Sequence, residues 1–235
     1  MKGKLFLIPT ILADDTQVEV IPASVKNSIQ NLTYFLCENI RTARRFVSSL
    51  KVHHSIESVQ FELLDKDTAF EQLSQLMSPL FEGQSVGVLS ESGCPGIADP
   101  GALAAAFAHQ HDIQVVPLVG PSSILLALMA SGLNGQCFAF HGYLPVEAND
   151  AMRAIKTLEF ESKEKKQTQI FIETPYRNNA VLSHFLKSLK SNTQLCVAAN
   201  LTSASEMIVC KPVNQWKKNP VILEKAPAVF LFLAD

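Results

Sequence analysis

The 235-residue chain lacks an excess of charge of either sign: 20 lysines and arginines stand against 22 aspartates and glutamates, for a formal net charge of -2. No basic field covers the whole surface, so a nucleic-acid partner would have to meet a local patch. Cysteine is scarce as well. The five cysteines, Cys37, Cys94, Cys137, Cys196 and Cys210, are odd in number, with no CxxC pair and no histidine at zinc-ligand spacing. That pattern excludes a disulfide framework and a zinc site and predicts a reduced, cytoplasmic, metal-free protein. No apolar run approaches the roughly 18 residues of a membrane span, and the opening MKGKLFLIPTIL lacks a small-residue cleavage pattern, so a soluble, unexported chain is expected. Neither GxGxxG opening a helix nor GxxxxGK[ST] occurs, which argues against a dinucleotide or nucleoside triphosphate. Internal repeats and low-complexity tracts are absent too.

What is present is apolar content of 47%, enough for two modest domains, 1–118 and 119–235. Short apolar runs alternate with helical patterns, the sequence form of βαβ units, so the expected class is α/β with a mainly parallel sheet first. Strands are predicted at 5–9, 33–37, 59–64, 85–90 and 113–117, with helices near 22–31, 41–50, 69–81 and 102–111. A buried helix follows, entered through Gly120-Pro121, with Ser122 and Ser123 placed to satisfy its first N–H groups. Beyond it, strands at 138–142, 169–173, 195–199, 205–210 and 228–233 and helices at 147–164 and 177–189 predict a second, mixed sheet.

In α/β sheets, ligands gather where strands end at their carboxyl side. One loop in such a place stands out. After SVGVLS, residues 91–101 hold three glycines and two prolines in eleven positions. Glycine lets backbone approach a ligand at positive φ, and proline fixes loop shape in advance. The same composition also suits a tight strand-to-helix turn in which Asp99 caps a helix starting near Pro100.

The segment SESGCPGIADPG resembles the adenosylmethionine loop of the tetrapyrrole-methylase superfamily, and within it the ribosomal-RNA small-subunit methyltransferase I branch, which reads SDAGTPGISDPG. Further blocks follow in order: VVPLVGPSSILLALMASGL, FAFHGYLP and IFIETPYR, with CENIRTARRFV before the loop. The resemblance implies two α/β domains with S-adenosyl-L-methionine (SAM) in the cleft between them, commonly a homodimer, and transfer of methyl to a ribose 2′-oxygen of ribosomal RNA or the small ribosomal subunit. It implies cofactor contacts from Pro9, Ser90, Glu91, Ser92, Gly93, Gly96, Ile97, Gly120, Pro121, Ser122, Ser123, Tyr143, Leu144, Asn200, Leu201 and Ala228. Neither a membrane nor a metal is expected to take part.

A 2′-hydroxyl must lose its proton during or after attack, which a nearby carboxylate can accept. Glu38, Glu173 and Glu91 are the candidates, with Glu38 the first choice; its structural alternative is an ion pair with Arg41 or Arg44. Arg41, Arg44 and Arg45 form the tightest basic cluster, suited to phosphates or to ion pairs on a helix surface, and loss of Arg44 is expected to weaken salt-dependent RNA binding. Arg177 is placed either against Glu173 or at the acceptor. His141 reads as a strand histidine and Trp216 as a packing anchor.

The chain departs from the branch chiefly on the acceptor side. Its first loop reads IPTILADD without the family glycine, Asn39 and Ile40 replace Asp and Thr, and Ala199 to Ser203 lack the arginine and glutamate of the later RELTK block. No helical tail follows the last strand, as in a short form of the branch. Methylation of a tetrapyrrole or other small molecule, or a catalytically degenerate SAM-binding paralogue, are the alternatives.

Overall fold

The computed structural model describes residues 1–219 and 221–235, and two compact units divide them, Met1–Ser122 and Ser123–Asp235.

The first unit runs β1 (Leu5–Ile8), α1 (Gln17–Val20), α2 (Ala23–Ile29), β2 (Tyr34–Cys37), α3 (Ile40–Ser49), β3 (Gln60–Leu63), α4 (Phe70–Leu76), α5 (Ser78–Phe81), β4 (Val86–Leu89), α6 (Gly101–Gln110) and β5 (Val115–Pro117). Its strands lie in the order β3-β2-β4-β1-β5, all parallel. The period-2 alternation of strand side chains divides β2 between two cores. Phe35 and Cys37 join Val25, Ile29, Phe46 and Val47 on one face, while Tyr34 and Leu36 join Leu73, Met77, Ala104 and Phe107 on the other. Helices thus cover both faces of a doubly wound sheet. The strands are fully buried along β2 and β4, which is why they read as continuous apolar runs.

The expected single helix over 69–81 is two. Pro79 has no N–H to give and its ring crowds the preceding turn, so α4 ends at Leu76 and α5 starts again at Ser78. The one-turn α1 was not foreseen; it buries no residue and leaves no apolar stripe to read.

The second unit runs α7 (Ser123–Ser131), β6 (Phe138–Phe140), α8 (Ala148–Lys165), β7 (Thr168–Glu173), α9 (Asn178–Ser188), β8 (Gln194–Ala199), β9 (Met207–Pro212), α10 (Val213–Lys218) and β10 (Ala228–Leu233). Its sheet, in the order β6-β7-β10-β8-β9, is mixed: β6 and β7 are parallel, the other pairs antiparallel. The strand expected at 205–210 sits two residues later. Ser203 Oγ accepts from the Ser205 N–H at 3.1 Å and the Ser203 carbonyl from the Glu206 N–H at 3.1 Å, so the turn holds the chain until Met207. Trp216 is wholly buried in α10, and its Nε1 donates to the Leu195 carbonyl at 2.9 Å. His141 meets Gln169 Oε1 through Nε2 at 2.6 Å and stacks on Phe171. No described helix is long and apolar enough to cross a membrane.

Candidate cofactor site

In the first unit the carboxyl ends of β1, β2 and β4 open onto the loop from Ser90 to Gly101. Several internal bonds hold that loop. Buried Ser90 donates its hydroxyl to the Gly93 carbonyl at 2.6 Å, and the Thr10 N–H donates to the same carbonyl at 2.9 Å. Ser92 Oγ reaches the Ile11 carbonyl at 3.4 Å, and the Cys94 thiol the Pro121 carbonyl at 3.4 Å. Asp99 Oδ1 accepts from the Gly96 N–H at 2.6 Å and the Gly101 N–H at 2.8 Å, bracing the loop and capping α6 at once. The two uses suggested by the sequence, ligand loop and capped turn, are compatible in one structure.

Glycine is required at two places here. Gly93 sits at φ +78°, where a side chain is strained and a Cβ would stand 3.2 Å from Leu12 Cδ2. Gly120 lies against Pro9, and a Cβ there would come within 2.2 Å of the proline Cγ. The loop that carries Gly120-Pro121 therefore packs directly on the end of β1. Gly96 also lies at positive φ, and Ile97 is 52% exposed at the loop's outer side.

Three carboxylates gather around this loop. Burial, followed by the negative charges of Asp99 and Glu91, raises the pKa of Glu38 above its ordinary value. Asp99 is raised by burial, with the Gly96 and Gly101 N–H bonds opposing. Among the described residues no ion pair reaches Glu38, Glu91 or Asp99, so Glu38 takes neither Arg41 nor Arg44 as a partner. Close carboxylates left without a cation disfavour their own charged forms and favour a positively charged ligand.

Helix α3 starts beside these groups because Asn39 caps it, its side-chain oxygen accepting from the Arg41 and Thr42 N–H groups at 3.0 and 3.4 Å. Replacement of the family aspartate by asparagine keeps this cap. Arg45 pairs with Asp14 at 3.6 Å, both well exposed, and Arg44 lies over the Phe61 ring at 5.9 Å. Arg41 is exposed and makes no ion pair among the described residues. Sequence reasoning missed Thr10 and Thr42, which touch the loop from just beyond β1 and from α3; Thr42 stands within the block CENIRTARRFV and Thr10 follows Pro9, so their only signal was a short hydroxyl in or beside a matched segment.

In the second unit the predicted residues collect at one end of the sheet. Glu173, the last residue of β7, lies opposite Ala228 in β10, and Ala228 lies opposite Ala199, next to Asn200. Asn200, at φ 54°, donates its N–H to the Pro227 carbonyl at 3.0 Å and contacts Ser205 through its amide, while Leu201 is buried. Glu173 is buried; its Oε1 accepts the Thr174 N–H at 2.7 Å, and its Oε2 lies 3.4 Å from Arg177 Nη2 without a hydrogen bond. The same Arg177 nitrogen donates to the carbonyls of Leu144 and Pro145 at 3.3 and 3.1 Å. The pairing with Glu173 is thus one the structure contains. Leu144 is buried and Tyr143 is 54% exposed. Ser123 opens α7, and Ser122 ends the first unit. Among the described residues no group of His, Cys, Asp and Glu forms a metal site.

A doubly wound parallel unit with a braced glycine-proline loop beyond its fourth strand, followed by a mixed-sheet unit, is the architecture of a two-part α/β methylase. This chain belongs to the tetrapyrrole (corrin/porphyrin) methylases, whose family model matches residues 13–215. It is similar to the ribosomal RNA small subunit methyltransferase I of Vibrio cholerae serotype O1, at 32% identity over 73% of this chain and 58% of that protein. The protein of the same name from Escherichia coli O157:H7 is 29% identical over 98% of this chain and 77% of the relative. The chain thus spans little more than half of the Vibrio protein and about three quarters of the Escherichia one. Among solved structures, uroporphyrin-III C-methyltransferase from Thermus thermophilus complexed with S-adenosylhomocysteine shares the fold, with a TM-score of 0.59 at 14% identity over 97% of each chain.

Proposed function

We propose that this chain is a SAM-dependent methyltransferase that modifies a ribose 2′-oxygen of small-subunit ribosomal RNA. The observation that carries the reading is the braced loop from Ser90 to Gly101, whose shape is set before any ligand arrives by Ser90, Thr10 and Asp99. The names of the relatives support small-subunit ribosomal RNA as the acceptor.

The fit to the cofactor rests on the donor set. The residues we assign to it are Pro9, Ser90, Glu91, Ser92, Gly93, Gly96, Ile97, Gly120, Pro121, Ser122, Ser123, Tyr143, Leu144, Asn200, Leu201 and Ala228. SAM supplies a methyl group already activated on a sulfonium, so position matters more than acid-base power. The uncompensated carboxylates of Glu38, Glu91 and Asp99 suit its positive charge.

Glu38 is the group that accepts the hydroxyl proton. Burial and its acidic neighbours make its carboxylate a stronger base than a solvated one, and no cation masks it, whereas Glu173 faces Arg177. Arg41 serves phosphate contact, since its side chain makes no ion pair among the described residues, with Arg44 and Arg45 beside it on α3. An acceptor in the small ribosomal subunit implies a cytoplasmic protein. We take it to act as a homodimer through the α7 surface, where Met129 is 78% exposed.

The test is a calorimetric titration of the full chain with SAM and S-adenosylhomocysteine, followed by transfer of labelled methyl to small ribosomal subunits. Saturable binding of one ligand per chain and label in the RNA are expected. Binding without transfer would overturn the acceptor, and no binding by folded protein would overturn the enzyme reading.

A further inference from the structure

Three of the five cysteines give their thiols to backbone carbonyls: Cys37 to Glu62 at 3.7 Å, Cys94 to Pro121 at 3.4 Å and Cys137 to Lys165 at 3.9 Å. Cys196 and Cys210 are arranged otherwise. They stand directly opposite each other in the antiparallel β8–β9 ladder.

The type of that pair follows from its neighbours. The Val213 N–H donates to the Thr193 carbonyl at 3.0 Å, which makes residues 193 and 213 a hydrogen-bonded pair just beyond the ladder's end. Hydrogen-bonded and non-hydrogen-bonded pairs alternate along an antiparallel ladder. Gln194 opposite Pro212 is then non-hydrogen-bonded, as a proline without an N–H demands, and Cys196 opposite Cys210 is the next pair of that kind. Such pairs bring Cα atoms to about 4.5 Å with side chains leaning together, inside the roughly 4.4–6.8 Å range of a disulfide.

We propose that Cys196 and Cys210 form an oxidisable dithiol that a hydroperoxide converts to a cross-strand disulfide without moving either strand. Cys210 lies on β9, an edge strand, and is half-buried, whereas Cys196 is wholly buried between β9 and β10. Cys210 is the sulfur that meets the oxidant. Its thiolate attacks the peroxide: an S–O bond forms, the O–O bond breaks, and hydroxide leaves to be protonated to water. The Cys196 sulfur then attacks the resulting sulfenic acid. An S–S bond forms, the S–O bond breaks, and the second water leaves with the Cys196 proton. The dithiol loses two electrons and the peroxide gains them.

The local electrostatics run the same way. The hydrogen bond between the two sulfurs, then burial, holds Cys196 as the thiol, and the same bond lowers the pKa of Cys210. A lowered thiol pKa raises the reactive thiolate fraction. Closure would tie β8, which leads directly into Asn200 and Leu201, to the sheet edge.

The test is exposure of the full folded chain to hydrogen peroxide, with alkylation of remaining thiols and peptide mass mapping. The expected product is one peptide pair joining residues 196 and 210, lighter by two hydrogens and restored by dithiothreitol. In Cys196→Ser, Cys210 should be captured as a sulfenic acid by dimedone; in the parent chain, capture should fall at least severalfold. The inference is overturned if the joined peptides do not form while other cysteines oxidise, or if dimedone labels Cys210 equally in both proteins. The parent-chain mapping decides the matter even if the variant does not fold.

Discussion

The hydroxyl of Thr42 donates to the Glu91 carboxylate at 2.6 Å, so the first turn of α3 grips the second residue of the loop after β4. Thr42 also lies 3.0 Å from the Asn39 carbonyl, but its single proton serves the shorter contact. The helix that carries Arg41, Arg44 and Arg45 is thereby fastened to the residues proposed to hold the cofactor. Removing the hydroxyl with Thr42→Val should weaken S-adenosylhomocysteine binding by about 1 kcal/mol, roughly fivefold in Kd. Calorimetry would measure it, and an unchanged Kd would show that Glu91 is held in place by other means.

Glu38→Gln should reduce methyl transfer by roughly 10²–10⁴-fold, the usual worth of a general base, with affinity for S-adenosylhomocysteine, whose sulfur carries no positive charge, retained. In the parent protein, activity should fall as pH drops through the raised pKa of Glu38, and the variant should lose that limb of the profile. Stability should move the opposite way. A carboxyl raised in the folded state binds more protons there than in the unfolded chain, so its contribution is lost as pH climbs past the ordinary value of 4.5. Glu38→Gln should therefore melt higher than the parent at neutral pH, with the gap closing in acid. A variant that methylates fully would remove Glu38 from the mechanism.

Much of the fold was legible in the sequence because it is written in local pattern. The buried runs of β2 and β4 and the amphipathic helices between strands announce a doubly wound sheet, and the glycines and prolines of 91–101 mark a shaped loop. The start of β9 was not legible, since it depends on Ser203 holding a turn that β propensity does not reveal. The candidate site was legible only along the chain. That Thr42 would reach Glu91 across 49 positions, or that Arg177 would bind the carbonyls of Leu144 and Pro145, is decided by tertiary packing. The sequence pointed to Arg44 among the three arginines of α3, and only their surroundings, Phe61 beneath Arg44 and Asp14 beside Arg45, single out Arg41.

Gly93→Val should abolish saturable cofactor binding. The left-handed backbone at φ +78° strains any side chain, and a Cβ 3.2 Å from Leu12 Cδ2 and 3.4 Å from the Pro121 carbonyl means that a branched residue must push its neighbours aside. The strain costs about 1–2 kcal/mol, which lowers Tm by several degrees in a chain of this size. Circular dichroism melting should show the variant folded at 25 °C. Normal binding by that folded variant would detach the loop from cofactor recognition.

Gly120→Ala and Gly135→Ala provide a matched pair. The first drives a Cβ to within 2.2 Å of Pro9, while the second meets nothing within 4 Å. Urea denaturation should find Gly120→Ala destabilised by about 1–3 kcal/mol from overpacking and Gly135→Ala within about 0.5 kcal/mol of the parent. Equal midpoints would contradict the close packing of the 120–121 segment on β1.

Arg41→Ala should lower the salt slope of RNA binding by roughly 1 and weaken binding evenly across sequences, as loss of one phosphate contact does. Arg45→Ala, which breaks an exposed pair with Asp14, should change it less. A slope identical in parent and Arg41→Ala would move the phosphate contacts elsewhere.

The burial of Trp216 has a spectroscopic consequence. As the single tryptophan of the chain, wholly enclosed and bonded through its indole nitrogen to Leu195, it should emit in the blue when folded and shift red only when residues 123–235 come apart. Intrinsic fluorescence therefore watches one half of the molecule, while far-ultraviolet dichroism watches all of it. Overlaying the two melting curves would show directly whether the halves unfold together or in turn.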